Sequence, residues 1–224
     1  MSELATAFLT RLRDTLPRHA DPERAAAMAK YMRDQFPFLG IPSTPLTVLQ
    51  REAGTGLPRP ESADAAEIAL GCWEFDEREY QYVACSYLRK YAKALDEDFI
   101  GVLRELIVQR SWWDTVDALA AHVAGPLVSA YPSLVSVMDQ WAEQEEMWLT
   151  RTAILHQLRY KGETDVDRLF GYCRRQAGHP DFFIRKAIGW ALREYAKTEP
   201  DAVRRFVAAT ELSGLSRREA LKNL

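Results

Sequence analysis

Along nearly the whole chain apolar residues return every three or four positions, and no stretch alternates β-branched with polar residues as a half-buried strand does. This pattern confines the chain to helix-on-helix packing, because an apolar helical stripe has to be covered by another helix. The expected fold class is all-α. Breakers punctuate the pattern: Asp21-Pro22-Glu23 opens a helix, Pro37 and Gly40-Ile41-Pro42 end one, and Gly125-Pro126 interrupts. His179-Pro180-Asp181 and Thr198-Glu199-Pro200 separate later segments. The longest loop is expected near Gly54-Thr55-Gly56-Leu57-Pro58-Arg59-Pro60. It is either a connection or a mild boundary behind an N-terminal helical cap of residues 1–60, with residues 1–224 forming one domain.

A repeat narrows the architecture. Leu-Arg recurs at Leu88-Arg89, Leu158-Arg159 and Leu192-Arg193, followed by Tyr91 and Lys93, Tyr160 and Lys161, and Tyr195 and Lys197. The intervals of 70 and 34 residues are two periods and one period of about 35, the size of a two-helix solenoid unit. The tetratricopeptide consensus is not visible, so the expectation is an α-solenoid, a right-handed superhelix of HEAT-like helix pairs with a concave face. Such a face suits a nucleic-acid strand, a peptide or another protein, and architecture does not choose among them.

Composition removes other classes. With 47% apolar residues in 224 the chain can bury a sizeable core. Met1-Ser2-Glu3-Leu4 lacks a basic region leading into an apolar one, and no run approaches the roughly 18 apolar residues of a membrane span. The expectation is a soluble, cytoplasmic protein with no membrane partner. Cys72, Cys85 and Cys173 are scattered, as in a reducing compartment, and form no zinc pattern. There is no phosphate-binding Gly-rich loop, no nucleophile elbow and no H-E-x-x-H, and His19, His122, His156 and His179 are isolated. No cofactor and no metal are expected. Glu145-Glu146 reads as part of a solvated helix face. The net charge of −3 conceals an asymmetry: residues 151–224 hold 15 Lys and Arg against 9 Asp and Glu, a net of +6, leaving residues 1–150 at −9. A basic C-terminal third can track a phosphate backbone, or can be an Arg-rich solvated surface.

Three sites break the helical pattern. In a helix read from Ser111, Trp112, Val116, Leu119 and Val123 make the core stripe, while Trp113 is turned about 100° away and shares a side with Asp117. In the helix after Pro180, Ile184, Ala187, Ile188, Ala191 and Tyr195 form the core stripe. Trp190 lies on another side with Lys186, Arg193 and Lys197 at helical spacing. Cations interleaved with an aromatic hold phosphates while the ring packs on a sugar or base, or else cover the indole by cation–π contact. Arg151 sits in an apolar stripe with Met147, Ile154 and Leu158. It has to pair with a carboxylate, from Asp117 or one of Glu143, Glu145 and Glu146, or reach a phosphate.

Taken in order, five segments resemble one family. They are Tyr31-Met32 with Phe36-Pro37-Phe38-Leu39-Gly40-Ile41; Arg78-Glu79-Tyr80-Gln81-Tyr82; Ser111-Trp112-Trp113-Asp114-Thr115-Val116-Asp117; Trp148-Leu149-Thr150-Arg151-Thr152-Ala153-Ile154-Leu155; and Ile184-Arg185-Lys186-Ala187-Ile188-Gly189-Trp190-Ala191-Leu192-Arg193. The family is the AlkD family of HEAT-like-repeat alkylpurine DNA glycosylases. The resemblance implies a monofunctional glycosylase that hydrolyses the N-glycosidic bond of cationic N3- or N7-alkylated purines in duplex DNA, without turning the base into a pocket. It implies catalytic roles for Asp117, Trp113, Trp190 and Arg151, with DNA contacts at Lys186, Arg193, Lys197, Arg185 and Tyr31. After Gly40-Ile41, where the family commonly has a basic stretch beginning Thr-Pro-Glu-Arg, this chain reads Pro42-Ser43-Thr44-Pro45-Leu46-Thr47-Val48. The implied partner is double-stranded DNA containing alkylated purines, met by a monomer at the nucleoid of a bacterial-type cell. The alternatives are a non-catalytic binder of damaged DNA and a protein-interaction scaffold.

Overall fold

The structure is a computed structural model that describes residues 1–224, and it is all-helical. The helices gather into two compact units, Met1–Val102 and Leu103–Leu224.

The first unit holds α1 (Glu3–Thr15), α2 (Pro22–Tyr31), α3 (Ser43–Ala53), α4 (Ser62–Trp73), α5 (Arg78–Tyr91) and the start of α6 (Phe99–Val108). Its helices begin where side chains replace missing backbone partners: Ser2 accepts the Ala5 N–H, and Asp21 accepts that of Arg24 with Pro22 in the first turn. The apolar stripe Leu4, Phe8, Leu9 and Leu12 of α1 is buried, and α1 packs on α3 and α4. The loop after α3 joins helices of this unit and is tied to α1, because Arg11 donates to the carbonyls of Ala53 and Thr55 at 2.9 and 2.8 Å.

The segment Arg78–Tyr82 is a brace for the irregular stretch after α2. Glu79 is fully buried and accepts the backbone N–H groups of Leu39, Gly40 and Ile41 at 3.0, 2.8 and 3.1 Å. Its negative charge is thereby hydrogen-bonded rather than stranded. Gly40 has φ +89°, and a Cβ there would sit 2.1 Å from the Asp21 carbonyl oxygen, so only glycine fits. The Arg78 guanidinium lies 3.8 Å over the Phe36 ring, and Gln81 donates to the carbonyls of Cys72 and Phe75.

The second unit holds α7 (Trp113–Leu119), α8 (Gly125–Ala130), α9 (Val135–Trp141), α10 (Met147–Leu155), α11 (Val166–Arg175), α12 (Phe182–Tyr195), α13 (Pro200–Ala209) and α14 (Gly214–Ala220). Two expectations are corrected here. The helix starts at Trp113, with Trp112 as an extended cap residue (φ −158°, ψ 160°), not at Ser111. Gly125-Pro126 does not end it: α7 runs through a wide π turn at Ala120–Ala124 into α8. Pro126 has no N–H to give to the preceding turn, and the looser π turn absorbs that loss without breaking the rod. Gly125 serves packing, since a Cβ there would lie 2.4 Å from the His156 carbonyl oxygen, and the Tyr160 hydroxyl donates to the Gly125 carbonyl at 2.7 Å.

α10 is the centre of this unit. Every residue from Trp148 to Leu155 is buried, and α7, α9, α11 and α12 pack around it. α14 docks along α12, where a Cβ on Gly189 would stand 2.4 Å from Glu219 Cβ. The Leu-Arg repeats fall at or just past the C-terminal ends of α5, α10 and α12, so the period marks equivalent helix ends. No single helix is long and apolar enough to cross a membrane.

Candidate active site

Three helices of the second unit meet at one hollow. In α7 the four-residue spacing brings Trp113 and Asp117 to the same side. From α10, Arg151 meets Asp117 with a two-pronged fork: Nε to Oδ1 at 2.7 Å and Nη2 to Oδ2 at 2.8 Å. Its Nη1 donates to the Phe183 carbonyl at the start of α12. The guanidinium is 4% exposed and its three edges are engaged, so it locks the carboxylate in place. Of the partners open to it from sequence, it takes Asp117. Behind it, Trp112, Trp148 and Phe183 form an aromatic cluster with centroids 5.1 to 6.0 Å apart. Trp112 precedes the helix and is half-buried, so it is this ring cluster, not a helical stripe, that packs it.

Asp117 keeps 15% of its side chain exposed. Burial pushes its carboxyl above the ordinary value of 3.8, and the Arg151 hydrogen bonds and charge oppose that rise. The result is a carboxylate poorly hydrated and held rigid, able to favour positive charge placed against its open edge.

The hollow is about 240 Å³ and is lined by Trp113, Asp117, Arg151, Phe182, Phe183, Lys186, Trp190 and Arg193. On α12, Phe183, Lys186, Trp190 and Arg193 recur at helical spacing and face it, while Ile184, Ala187, Ile188 and Ala191 are buried on the core side. Lys186 and Arg193 both pair with Glu219 of α14, at 2.8 and 2.5 Å. Lys197 is not part of this set: it pairs with Glu194 at 2.7 Å and lines a separate hollow with Lys161 and Tyr195. Arg185 turns back to the carbonyls of Pro180 and Asp181. Tyr31 belongs to the first unit, exposed at the end of α2 before the left-handed residues Arg33 and Asp34 (φ 57° and 55°). Glu146 caps α10 by accepting the Trp148 N–H rather than lying along a helix face.

Sequence reasoning missed three residues. Phe182, 50% exposed, and Phe183 were readable as lying three to eight residues before Lys186 and Trp190, on one helical surface. Glu219, 33 residues beyond Lys186, carries no local signal.

A family model described as DNA alkylation repair enzyme matches residues 12–224. The chain is similar to a solved structure described as a predicted DNA alkylation repair enzyme from Enterococcus faecalis, with 30% identity and a TM-score of 0.85, over 92% of this chain and 96% of that one. No curated protein matches.

Proposed function

The chain belongs to the DNA alkylation repair enzyme family, and from that premise we propose that it is a monofunctional glycosylase hydrolysing the N-glycosidic bond of cationic N3- or N7-alkylated purines in duplex DNA. The observation that carries the reading is Asp117: an aspartate fixed by Arg151, open to a hollow, with Trp113 and Trp190 in the same lining. An alkylated purine bearing positive charge leaves as a neutral base, taking the bonding electrons of the C1′–N bond. It needs no proton from the protein. Positive charge then grows on the deoxyribose, and Asp117 stabilises it, orients the water whose oxygen bonds to C1′ and takes up the proton that this water releases. The indoles of Trp113 and Trp190 offer π faces to the same cation, and Lys186 and Arg193 supply charge for the backbone. Arg151 positions the carboxylate. The hollow is open and mostly apolar at its wall, which suits a lesion left in or near the helix rather than a base swallowed whole.

Base release from duplex DNA carrying N7-methylguanine or N3-methyladenine tests the reading. The wild type is expected to free the methylated base, and Asp117→Asn to lose at least about 100-fold in single-turnover rate, the scale of removing one preorganised electrostatic group. Equal release by Asp117→Asn excludes that residue from the chemistry.

A further inference from the structure

Two cations and one carboxylate form a closed set at the edge of the hollow. Lys186 and Arg193 line it on either side of Trp190, separated by seven residues along α12. Glu219 does not line it, yet its Oε1 takes Lys186 Nζ at 2.8 Å and its Oε2 takes Arg193 Nη1 at 2.5 Å. The seat of this carboxylate is built into the fold. Gly189 removes the side chain that would collide with Glu219 Cβ, and Ser216 donates to the Arg185 carbonyl at 2.9 Å, fixing α14 to α12. Lys186 remains 39% exposed while Glu219 is 16% exposed, so the ammonium is within reach of an incoming anion and the carboxylate is largely sheltered. With Arg151 engaged by Asp117 and Phe183, capture of an anion beside the hollow falls to these two cations.

We propose that Glu219 is an internal phosphate surrogate: bridging Lys186 and Arg193, it holds the protein's non-specific grip on the DNA backbone in check and gives up one of them to a phosphate when duplex binds. The inference rests on the DNA reading above. A carboxylate presents two oxygens to a Lys and an Arg as a phosphate does. The trio carries a net charge of +1 and can neutralise one phosphate, whereas the two cations alone would neutralise two. Backbone attraction is independent of sequence and of damage. A carboxylate that weakens it speeds release from intact DNA without touching Asp117 or the indoles.

The test is equilibrium binding of undamaged duplex oligonucleotide by the full chain between about 50 and 200 mM salt, the range over which backbone contacts dominate. Glu219→Gln and Glu219→Ala are expected to bind about two- to fivefold more tightly, the scale of one partly exposed ion pair. Their log–log salt slope should steepen by about 0.9, one further phosphate contact. Placed in a Lys186→Ala/Arg193→Ala background, Glu219→Gln should change neither quantity. In the wild type, the side-chain NMR signals of Lys186 and Arg193 should shift as duplex is added. Unchanged or weaker binding by Glu219→Gln, tightening that persists without the two cations, or unmoved side-chain signals would each overturn the surrogate. Wild-type affinity in Lys186→Ala/Arg193→Ala would remove this surface from DNA contact and overturn the surrogate alone, whereas no salt-dependent duplex binding by the wild type would overturn the DNA reading itself.

Discussion

Asp117 and Arg151 are each other's solution to the same problem. A mostly buried carboxylate and a buried guanidinium both lose hydration; joined by two hydrogen bonds they tolerate the site, but neither does so alone. Arg151→Met is therefore expected to strand the carboxylate and destabilise the fold by about 3–5 kcal/mol, measured by urea unfolding. Because burial lifts the Asp117 carboxyl above 3.8, and only the ionised form can face a sugar cation, the excision rate should fall on acidification at a pH higher than an ordinary aspartate would give. A pH profile of single-turnover release checks it, and a rate flat down to about pH 4 would contradict it. These residues differ in how far sequence exposes them. Trp113 and Asp117 share a helix, so their adjacency follows from spacing. Arg151 is legible as an anomaly in an apolar stripe, but its partner lies 34 residues away and three nearby glutamates were equally open. Glu219 is one acidic residue among many on an exposed-looking segment, and only packing brings it to Lys186 and Arg193.

At the level of elements, α12 does two jobs with two faces. One face packs on α10 through Ile184, Ala187, Ile188 and Ala191, and the other presents Trp190 between two cations. Its docking with α14 depends on the bare backbone at Gly189, where an added methyl would lie 2.4 Å from Glu219 Cβ and 2.9 Å from the Ser216 carbonyl oxygen. Gly189→Ala is expected to cost about 1–3 kcal/mol through overpacking, lowering the melting temperature, and to loosen the Glu219 contacts. An unchanged melting temperature would mean that α14 yields without strain. Helix existence was readable from periodicity almost everywhere. What failed was the reading of Gly125-Pro126 as a break between helices: the chain widens one turn at Ala120–Ala124 and continues, and the bare backbone at Gly125 lets the His156 carbonyl approach closely. The Arg78–Tyr82 motif, legible only as part of a resemblance, turns out to brace a loop through Glu79.

For the molecule as a whole, the charge asymmetry read from sequence overstates the free positive field. The basic residues 151–224 draw on acids from within and before that span: Arg168 on Asp139 and Asp165, Arg175 on Glu143, Lys186 and Arg193 on Glu219. Stability, in turn, is expected to fall on acidification. Burial holds His156 down to about 4, against an ordinary 6.5, with Nδ1 at 2.7 Å from the Ala153 carbonyl. The unfolded chain takes up this proton from about pH 6.5 downward while the native state resists it, so stability present above 6.5 is lost as pH falls to about 4, by roughly 3 kcal/mol. His156→Leu should flatten that limb in urea titrations between about pH 7 and 4, and an unaltered slope would assign the acid sensitivity elsewhere. The seam between the two compact units falls at Val102–Leu103, inside α6, where Phe99 lies on one side of the cut and Leu103, Leu106 and Ile107 on the other, all buried. A ten-residue helix halved there leaves two stubs too short to hold a turn unaided, each baring core side chains to water. Dissecting the chain at Val102–Leu103 would thus wreck both pieces, and a fragment intended to carry Trp113, Asp117, Arg151 and Trp190 has to inherit the whole of α6.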